Sequence, residues 1–244
     1  MNKIILITGV AGMIGSKLLE KYINKNNIII GLDSLILGKK SFIKPFFYKK
    51  NFFFFKKNLS KKFESEKITN LLKKNKLSEI WLLAANSDIR KGGKNFKVDL
   101  NDTFMSTINT LNYLKKYINN NTKIIFTSSS AIYGETRKKI SENNSLIRPT
   151  SNYGAMKAAC EAYLSSFSKE HVSKISIFRF PNVVGKNLTH GLLYDMKKKI
   201  LSKDKFLKVL GNGKQQKPYS YTQEVIKCMI YFKDKKFKNK INYF

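Results

Sequence analysis

The sequence predicts an α/β fold in which helices cover both faces of a parallel sheet, and three observations predict it. Apolar runs bounded by turn residues alternate with amphipathic segments, which is the pattern of βαβ units. A row of glycines joins the first apolar run to the first amphipathic segment. The chain has 244 residues, of which 42% are hydrophobic, so it can form one large domain, or one domain and part of a second.

Six apolar runs are predicted as strands and alternate with four predicted helices. The strands are expected at 3–9, 27–33, 52–58, 79–85, 123–129 and 175–180, and the helices at 13–25, 64–76, 99–118 and up to about residue 170. Four consecutive phenylalanines in the third run predict a strand that is buried on both faces. The periodicity weakens after Pro181, so we divide the chain into a domain at 1–180 and a partial region at 181–244.

The net charge of +31 is the most unusual feature of the composition. Such a charge is typical of proteins that bind nucleic acid or an anionic membrane. The lysines are spread along the chain, however, and the arginines that favour base and phosphate contacts number only four. We therefore interpret the charge as a compositional bias toward lysine, and nucleic acid is not the expected partner.

Cysteine and histidine are too few to suggest a disulfide framework or a metal site. Cys160 and Cys228 lie far apart, and His190 has no second ligand nearby. His171, late in a predicted helix, is interpreted as a surface or capping residue. The apolar N-terminal run looks like a signal peptide, but its regular glycines and the lack of an A-x-A site favour a buried strand. Because no apolar run reaches about 18 residues, no membrane span is expected. The two separated cysteines fit a reducing, cytoplasmic location.

The glycine row "TGVAGMIG" predicts a site for a dinucleotide. Gly9, Gly12 and Gly15 lie between a predicted strand and helix, where a pyrophosphate can approach the backbone and the positive end of the helix dipole. Asp33 ends the next strand and can accept hydrogen bonds from both adenosine ribose hydroxyls, which favours NAD over NADP. This is the pattern of a Rossmann-type sheet. The alternative is a simple glycine turn with a solvated aspartate.

A second polar group follows the third strand, at "KKNLS". The Asn58 side chain could accept a hydrogen bond from an adenine amino group. An asparagine that only closes a turn after the strand is almost as good an interpretation.

Tyr153 and Lys157, in "SNYGAMKAAC", are spaced to lie on one face of a helix, one turn apart. A nearby ammonium is expected to lower the pKa of the tyrosine and make it a usable proton acceptor. The segment "TSSSAIYG" places three serines at the carboxyl end of the fifth strand, where ligands of open α/β sheets bind. A serine there can relay the substrate proton or hold a developing oxyanion.

Together these motifs resemble those of the extended short-chain dehydrogenases/reductases, in particular the NAD-dependent sugar-nucleotide epimerases and dehydratases. The resemblance covers about residues 3–230 and includes "GLDSLILG", "LLAANSD", "RFPNVVG" and "GNGKQQKPYSY". It implies Ser129, Tyr153 and Lys157 as catalytic residues. The residues that it assigns to NAD are Gly9, Gly12, Met13, Ile14, Gly15, Asp33, Asn58, Leu59, Leu83, Ala84, Ala85, Tyr153, Lys157 and Pro181. Those that it assigns to a nucleotide-sugar substrate are Ser87, Ser129, Ser130, Tyr153, Asn182 and His190.

The resemblance also favours one chemistry within the family. Dehydratases carry an adjacent Asp-Glu pair after the catalytic hydroxyl, whereas this chain has Ser130 and Ala131 there. The expected reaction is therefore 4-epimerisation of a UDP-hexose through a 4-keto sugar. The alternatives are a reductase or decarboxylase of the same family, and a non-catalytic NAD-binding protein.

Two further expectations concern size and assembly. Members of the family usually continue past the "YSY" strand, so the region that ends at Phe244 looks like a shortened substrate-binding part. The resemblance also implies a homodimer, in which the helices near 99–118 and 153–170 of two chains pack as a four-helix bundle.

Overall fold

The computed structural model describes residues 2–136, 139–142, 145–171, 174–202, 206, 212–214, 216–235, 237 and 239–244. The strands are β1 (Lys3–Thr8), β2 (Asn27–Asp33), β3 (Phe52–Lys56), β4 (Lys76–Leu82), β5 (Lys123–Ser129), β6 (Lys174–Phe180), β7 (Asn182–Val184), β8 (Tyr219–Tyr221) and β9 (Ile241–Tyr243). The helices are α1 (Met13–Tyr22), α2 (Lys40–Ile43), α3 (Glu66–Lys74), α4 (Ile89–Lys94), α5 (Phe96–Asp99), α6 (Ser106–Leu114), α7 (Asn152–Glu170), α8 (Leu192–Leu201) and α9 (Thr222–Lys233).

In the described part of the chain, seven parallel strands form the main sheet in the order β3-β2-β1-β4-β5-β6-β9. The order reverses between β1 and β4, which is the point where open α/β sheets bind their ligands. Apolar side chains pack into two clusters that together include residues of all the central strands. The predicted α/β, Rossmann-type fold is confirmed.

All six predicted strands are present, although β4 starts and ends three residues earlier than expected, because Lys76 already pairs with Lys3 of β1. The "YSY" strand is present as β8, whereas the short strands β7 and β9 are not among the predicted elements. The helix expected at 99–118 is a composite: α5, a π-helical segment at Leu100–Met105, α6 and a 3-10 turn at Lys115–Tyr117 follow one another without a break.

The expectation for the third strand is wrong. β3 lies at an end of the sheet instead of inside it. Of its four phenylalanines only Phe52 is buried, and the other three are half-buried. Four aromatic residues in a row predict an apolar strand, but how completely its two faces are covered depends on elements packed against them from elsewhere in the chain.

Local sequence explains why the helices begin where they do. Ser151 accepts a hydrogen bond from the N–H of Gly154 and caps α7, and Ser65 caps α3 in the same way. α1 starts differently, because Gly12 at its N-cap has no side chain to occupy the free N–H groups. The first turn of α1 therefore presents unpaired donors at the carboxyl edge of the sheet.

No helix in the described part of the chain has the length and apolar character that a membrane crossing requires.

Candidate active site

The glycine loop folds tightly between β1 and α1. Gly9 adopts φ of +66°, and a Cβ there would lie 3.0 Å from the backbone nitrogen of Ala84. At Gly15 a Cβ would lie 2.1 Å from the carbonyl oxygen of Gly9, so only glycine lets helix α1 pack so closely on the loop. At Gly12 a Cβ would meet only that same carbonyl, at 3.2 Å, so its other side is open. The open side of Gly12 adjoins the N-terminus of α1, which begins with Met13 and Ile14 and whose dipole favours an anion.

Asp33 lies at the end of β2, as predicted, and holds the loop in place. One carboxylate oxygen accepts the N–H of Ala11 at 2.9 Å and the other accepts that of Leu35 at 2.8 Å. The side chain is 6% exposed, and burial raises its pKa. Each oxygen keeps a second lone pair for a ligand hydroxyl.

The segment after β4 is fixed to β1 by one hydroxyl. Thr8 Oγ1 accepts the N–H groups of Leu83 and Ala84, at 3.0 and 3.1 Å. These residues and Ala85 are half-buried beside the glycine loop. They therefore border the space where the resemblance expects the cofactor.

The residues after β3 are engaged with the protein itself. The Asn58 side chain accepts hydrogen bonds from the backbone N–H and the hydroxyl of Ser60, which is the turn interpretation that the sequence left open. The Leu59 side chain is buried in the core, and its carbonyl accepts a hydrogen bond from Asn109. Their assignment to an adenine site stays a prediction.

Tyr153 and Lys157 lie on α7 and meet Ser129 at the end of β5. The Ser129 side chain interacts with the Tyr153 hydroxyl, and the Lys157 Nζ lies 5.8 Å from the centre of the Tyr153 ring. Lys157 is 2% exposed and donates to the carbonyl of Thr127 on β5. Its ammonium also lies 4.6 Å from the ring centre of Phe126.

Electrostatics at this position differ from the sequence-based expectation. Burial raises the pKa of Tyr153 to about 12, an increase that Ser129 partly offsets and the charge of Asp99 reinforces. Burial lowers the pKa of Lys157 to about 8. The direction of the tyrosine pKa shift is thus opposite to the expected one, because the effect of burial exceeds that of the hydrogen bond from Ser129.

The remaining predicted substrate residues are less closely connected to the group formed by Ser129, Tyr153 and Lys157. Ser130 follows Ser129 in a 3-10 turn, and Ser87 is exposed. Asn182 donates to the carbonyl of Pro218 at 3.4 Å, and His190 hydrogen-bonds the neighbouring Thr189. The half-buried Pro181 links β6 to β7. Part of the segment 210–221, at residues 210, 211 and 215, lies outside the described residues.

Sequence reasoning missed a buried polar group beside the tyrosine. Asp99 is fully buried and accepts a hydrogen bond of 2.6 Å from Asn86 at one oxygen. Its other oxygen has no hydrogen-bond partner among the described residues. Burial raises the pKa of this carboxyl group. Nothing in the local sequence distinguishes Asp99 from a surface residue, because Asn86 is distant in the chain.

Sequence reasoning also missed a buried ion pair between α7 and β6. Glu161 on α7 accepts from Arg179 on β6 at 2.7 Å, and both side chains are almost fully buried. Glu161 also accepts from the Ser128 hydroxyl on β5. An arginine within an otherwise apolar strand is the signal that could have suggested such a partner.

These observations define a class: a doubly wound sheet with a glycine loop after its first strand and a Ser–Tyr–Lys group at the same edge. The family model "NAD dependent epimerase/dehydratase family" matches residues 5–242. The chain belongs to this family.

Known proteins agree with that assignment. A Methanocaldococcus jannaschii protein, provisionally named a UDP-glucose 4-epimerase, is 30% identical over 93% of this chain and 72% of its own length. A UDP-glucuronate 4-epimerase of Thermodesulfobacterium geofontis is 25% identical over 92% of this chain and 70% of its own length. The crystal structure of a Bacillus cereus UDP-glucuronic acid 4-epimerase with UDP-glucuronic acid and NAD matches 99% of this chain and 76% of its own, with a TM-score of 0.85 and 28% identity.

Proposed function

We propose that the protein is an NAD-dependent sugar-nucleotide epimerase that inverts C4 of a UDP-hexose through a transient 4-keto sugar. The observation that carries the proposal is the convergence of Ser129, Tyr153 and Lys157 at the sheet edge that holds the glycine loop. Family membership and the names of the related proteins support the same chemistry. In the proposal, residues 1–180 hold NAD and the catalytic group, and residues 181–244 form part of the substrate site.

The residues of this edge fit NAD. The open side of Gly12, the free N–H groups of α1 and the acceptors of Asp33 match a pyrophosphate followed by an adenosine ribose. Bound NAD would supply the hydride acceptor for the sugar carbon and the donor that returns the hydride, and the positive charge of its nicotinamide would favour a nearby phenolate.

The protein's own residues handle the proton. In the proposed mechanism Tyr153 removes the proton of the C4 hydroxyl, and Ser129 hydrogen-bonds the same oxygen. With a pKa of about 12, Tyr153 holds its own proton at neutral pH in the protein alone. In the proposal this proton leaves to solvent when the site is filled, so that the phenolate accepts the C4 proton. Lys157 is held by Thr127 so that its ammonium stays next to the phenol, where it stabilises the phenolate as it forms. On return of the hydride, Tyr153 gives the proton back to the C4 oxygen.

Incubation with NAD and, in turn, UDP-glucose, UDP-N-acetylglucosamine and UDP-glucuronate tests the proposal. Conversion to the C4 epimer, followed by NMR of the sugar anomeric protons, is the expected result, with no net change in reduced nicotinamide. Net formation or consumption of reduced nicotinamide would instead indicate a reductase or decarboxylase. Retention of NAD without turnover of any of the three sugars would contradict the enzymatic proposal.

A further inference from the structure

The outer edge of β3 has backbone groups available for another strand. In its ladder with β2, the N–H of Ile29 donates to the Asn51 carbonyl and the N–H of Lys57 donates to the Asp33 carbonyl. Along a parallel strand, the N–H and C=O groups of successive residues point to opposite sides. Since those of Asn51 and Lys57 face β2, those of Phe54 and Lys56 point away from it. β3 is the last strand of the sheet in the described part of the chain. An extended segment could therefore hydrogen-bond to these two residues.

The two faces beside this edge differ. On one face Phe47 stacks on Phe52 and Phe54, with ring centres 6.2 and 5.9 Å apart, and covers them. On the other face a cavity of about 300 Å³ opens between β3 and α3. Its walls include Phe53, Phe55 and Leu71, with Lys67, Asn70 and Lys74 around them. A strand added to β3 would direct alternate side chains toward this cavity.

The charge around the edge restricts the partner. Lys56 lies on β3 itself and Lys67 and Lys74 line the cavity, while residues 34–63 contain nine lysines and no aspartate or glutamate. Lysines on an edge strand oppose pairing with a second copy, because the same charges would face each other. The same lysines attract a segment rich in carboxylates.

We propose that the β3 edge, defined as Phe52–Lys56 with the cavity beside α3, binds an extended acidic segment of a partner protein as an added strand. Backbone hydrogen bonds to Phe54 and Lys56 would hold the segment. Its apolar side chains would enter the cavity, and its carboxylates would face the surrounding lysines. This surface is separate from the proposed catalytic group on β5 and α7, so partner binding does not depend on the proposed reaction.

A nucleic acid or an anionic lipid surface would complement only the positive charge of the lysines. Neither would use the outward peptide groups of Phe54 and Lys56, and neither requires an apolar cavity next to them. The peptide class is favoured because it uses all three features of the edge.

The test measures fluorescence anisotropy with defined probes on the full chain. The main probe is a labelled peptide of alternating glutamate and valine, and its controls are the lysine–valine peptide, a single-stranded uridine oligomer and phosphatidylserine vesicles. We expect the glutamate–valine peptide to bind and the lysine–valine peptide not to bind. Failure of the acidic peptide to bind, or binding of only the RNA or the vesicles, would overturn the proposal.

A matched pair of variants separates backbone pairing from charge. Lys56→Pro and Lys56→Gln both remove the ammonium, but only the proline removes the outward N–H, and proline is tolerated on an edge whose N–H faces solvent. We expect Lys56→Pro to bind the acidic peptide roughly tenfold more weakly than Lys56→Gln, the upper end of the loss expected for one backbone hydrogen bond. Equal affinities of the two variants would contradict strand addition.

Hydrogen exchange of the unmodified protein gives an independent check. The amides of Phe54 and Lys56 should exchange rapidly in the free protein and become protected when the acidic peptide is added. Protection confined to other segments would show that the peptide binds elsewhere. Because this readout needs neither a variant nor a sugar nucleotide, it stays decisive if Lys56→Pro is unstable or if the proposed reaction is wrong.

Discussion

Replacing Lys157 with methionine should stabilise the protein near neutral pH and should lose that advantage in alkali. The lysine is 2% exposed, and burial lowers its pKa from 10.5 to about 8. At about pH 7 the ammonium is charged in both the folded and the unfolded chain, so the folded state bears the full desolvation cost. The difference between the two pKa values corresponds to about 3 kcal/mol of unfolding free energy.

The direction of this pH dependence follows from the numbers of protons that the folded and unfolded chains bind. Between about pH 8 and pH 10.5 the folded protein has lost this proton while the unfolded chain still holds it, so unfolding takes up a proton. The free energy of unfolding of the wild type therefore rises with pH relative to that of Lys157→Met, and the relative change levels off above the unfolded pKa. Loss of the hydrogen bond to Thr127 adds an offset of about 1 kcal/mol that favours the wild type and does not produce this slope.

Urea unfolding of both proteins between about pH 7 and pH 11 measures this difference. Trp81 is the only tryptophan and is fully buried, so its fluorescence reports global unfolding. Lys169→Met, which removes an exposed ammonium from the same helix, controls for the loss of one charge from a chain of net charge +31. A difference between wild type and Lys157→Met that stays constant with pH would refute the argument that the ammonium is desolvated.

Three further changes test the candidate site and its support. Tyr153→Phe should reduce C4 epimerisation by roughly 10²–10⁴-fold and leave NAD binding intact, as measured by turnover and by cofactor titration; unchanged turnover would exclude the tyrosine as the base. Gly15→Ala should lower the unfolding free energy by about 1–3 kcal/mol and weaken NAD binding, because the new Cβ would meet the Gly9 carbonyl. Gly93→Ala, whose Cβ would meet nothing within 4 Å, is its control, and equal effects of the two would contradict the packing argument. Arg179→Met should destabilise the protein by about 3–5 kcal/mol in urea unfolding, because Glu161 would stay buried without its cation; adding Glu161→Gln should recover part of the loss, and no recovery would show that the charge is not its cause.

The parts of the fold and site that the sequence could predict depend on residues close together in the chain. The glycine loop, its following helix and Asp33 form one βαβ unit, so their spacing alone predicts their proximity. The spacing of Tyr153 and Lys157 is likewise a local property of one helix. The Ser–Tyr–Lys group required only the further rule that the carboxyl ends of parallel strands share one edge.

The features that escaped prediction depend on distant contacts. Whether Tyr153 has a raised or a lowered pKa depends on how much water reaches it, and this is set by the elements packed around it. The pairing of Asp99 with Asn86 spans two elements, and the edge position of β3 depends on where the sheet ends. Short strands such as β9, with three residues, have too little periodicity to be recognised.

The contacts between α7 and β5 explain how a local motif becomes a positioned group. Tyr153, Lys157 and Glu161 are four residues apart, so they lie along one face of α7. Lys157 bonds to Thr127, and Glu161 bonds to Ser128, which fixes two successive turns of the helix to two successive residues of the strand.

Tyr153 lies one turn nearer the N-terminus on the same face of α7, and Ser129 follows Ser128 at the carboxyl end of the strand. Sliding α7 by a single residue would rotate this face by about 100° and break both bonds at once. The register that joins the phenol to the hydroxyl is therefore held by two buried charged side chains, Lys157 and Glu161, which lie further along the same face of α7.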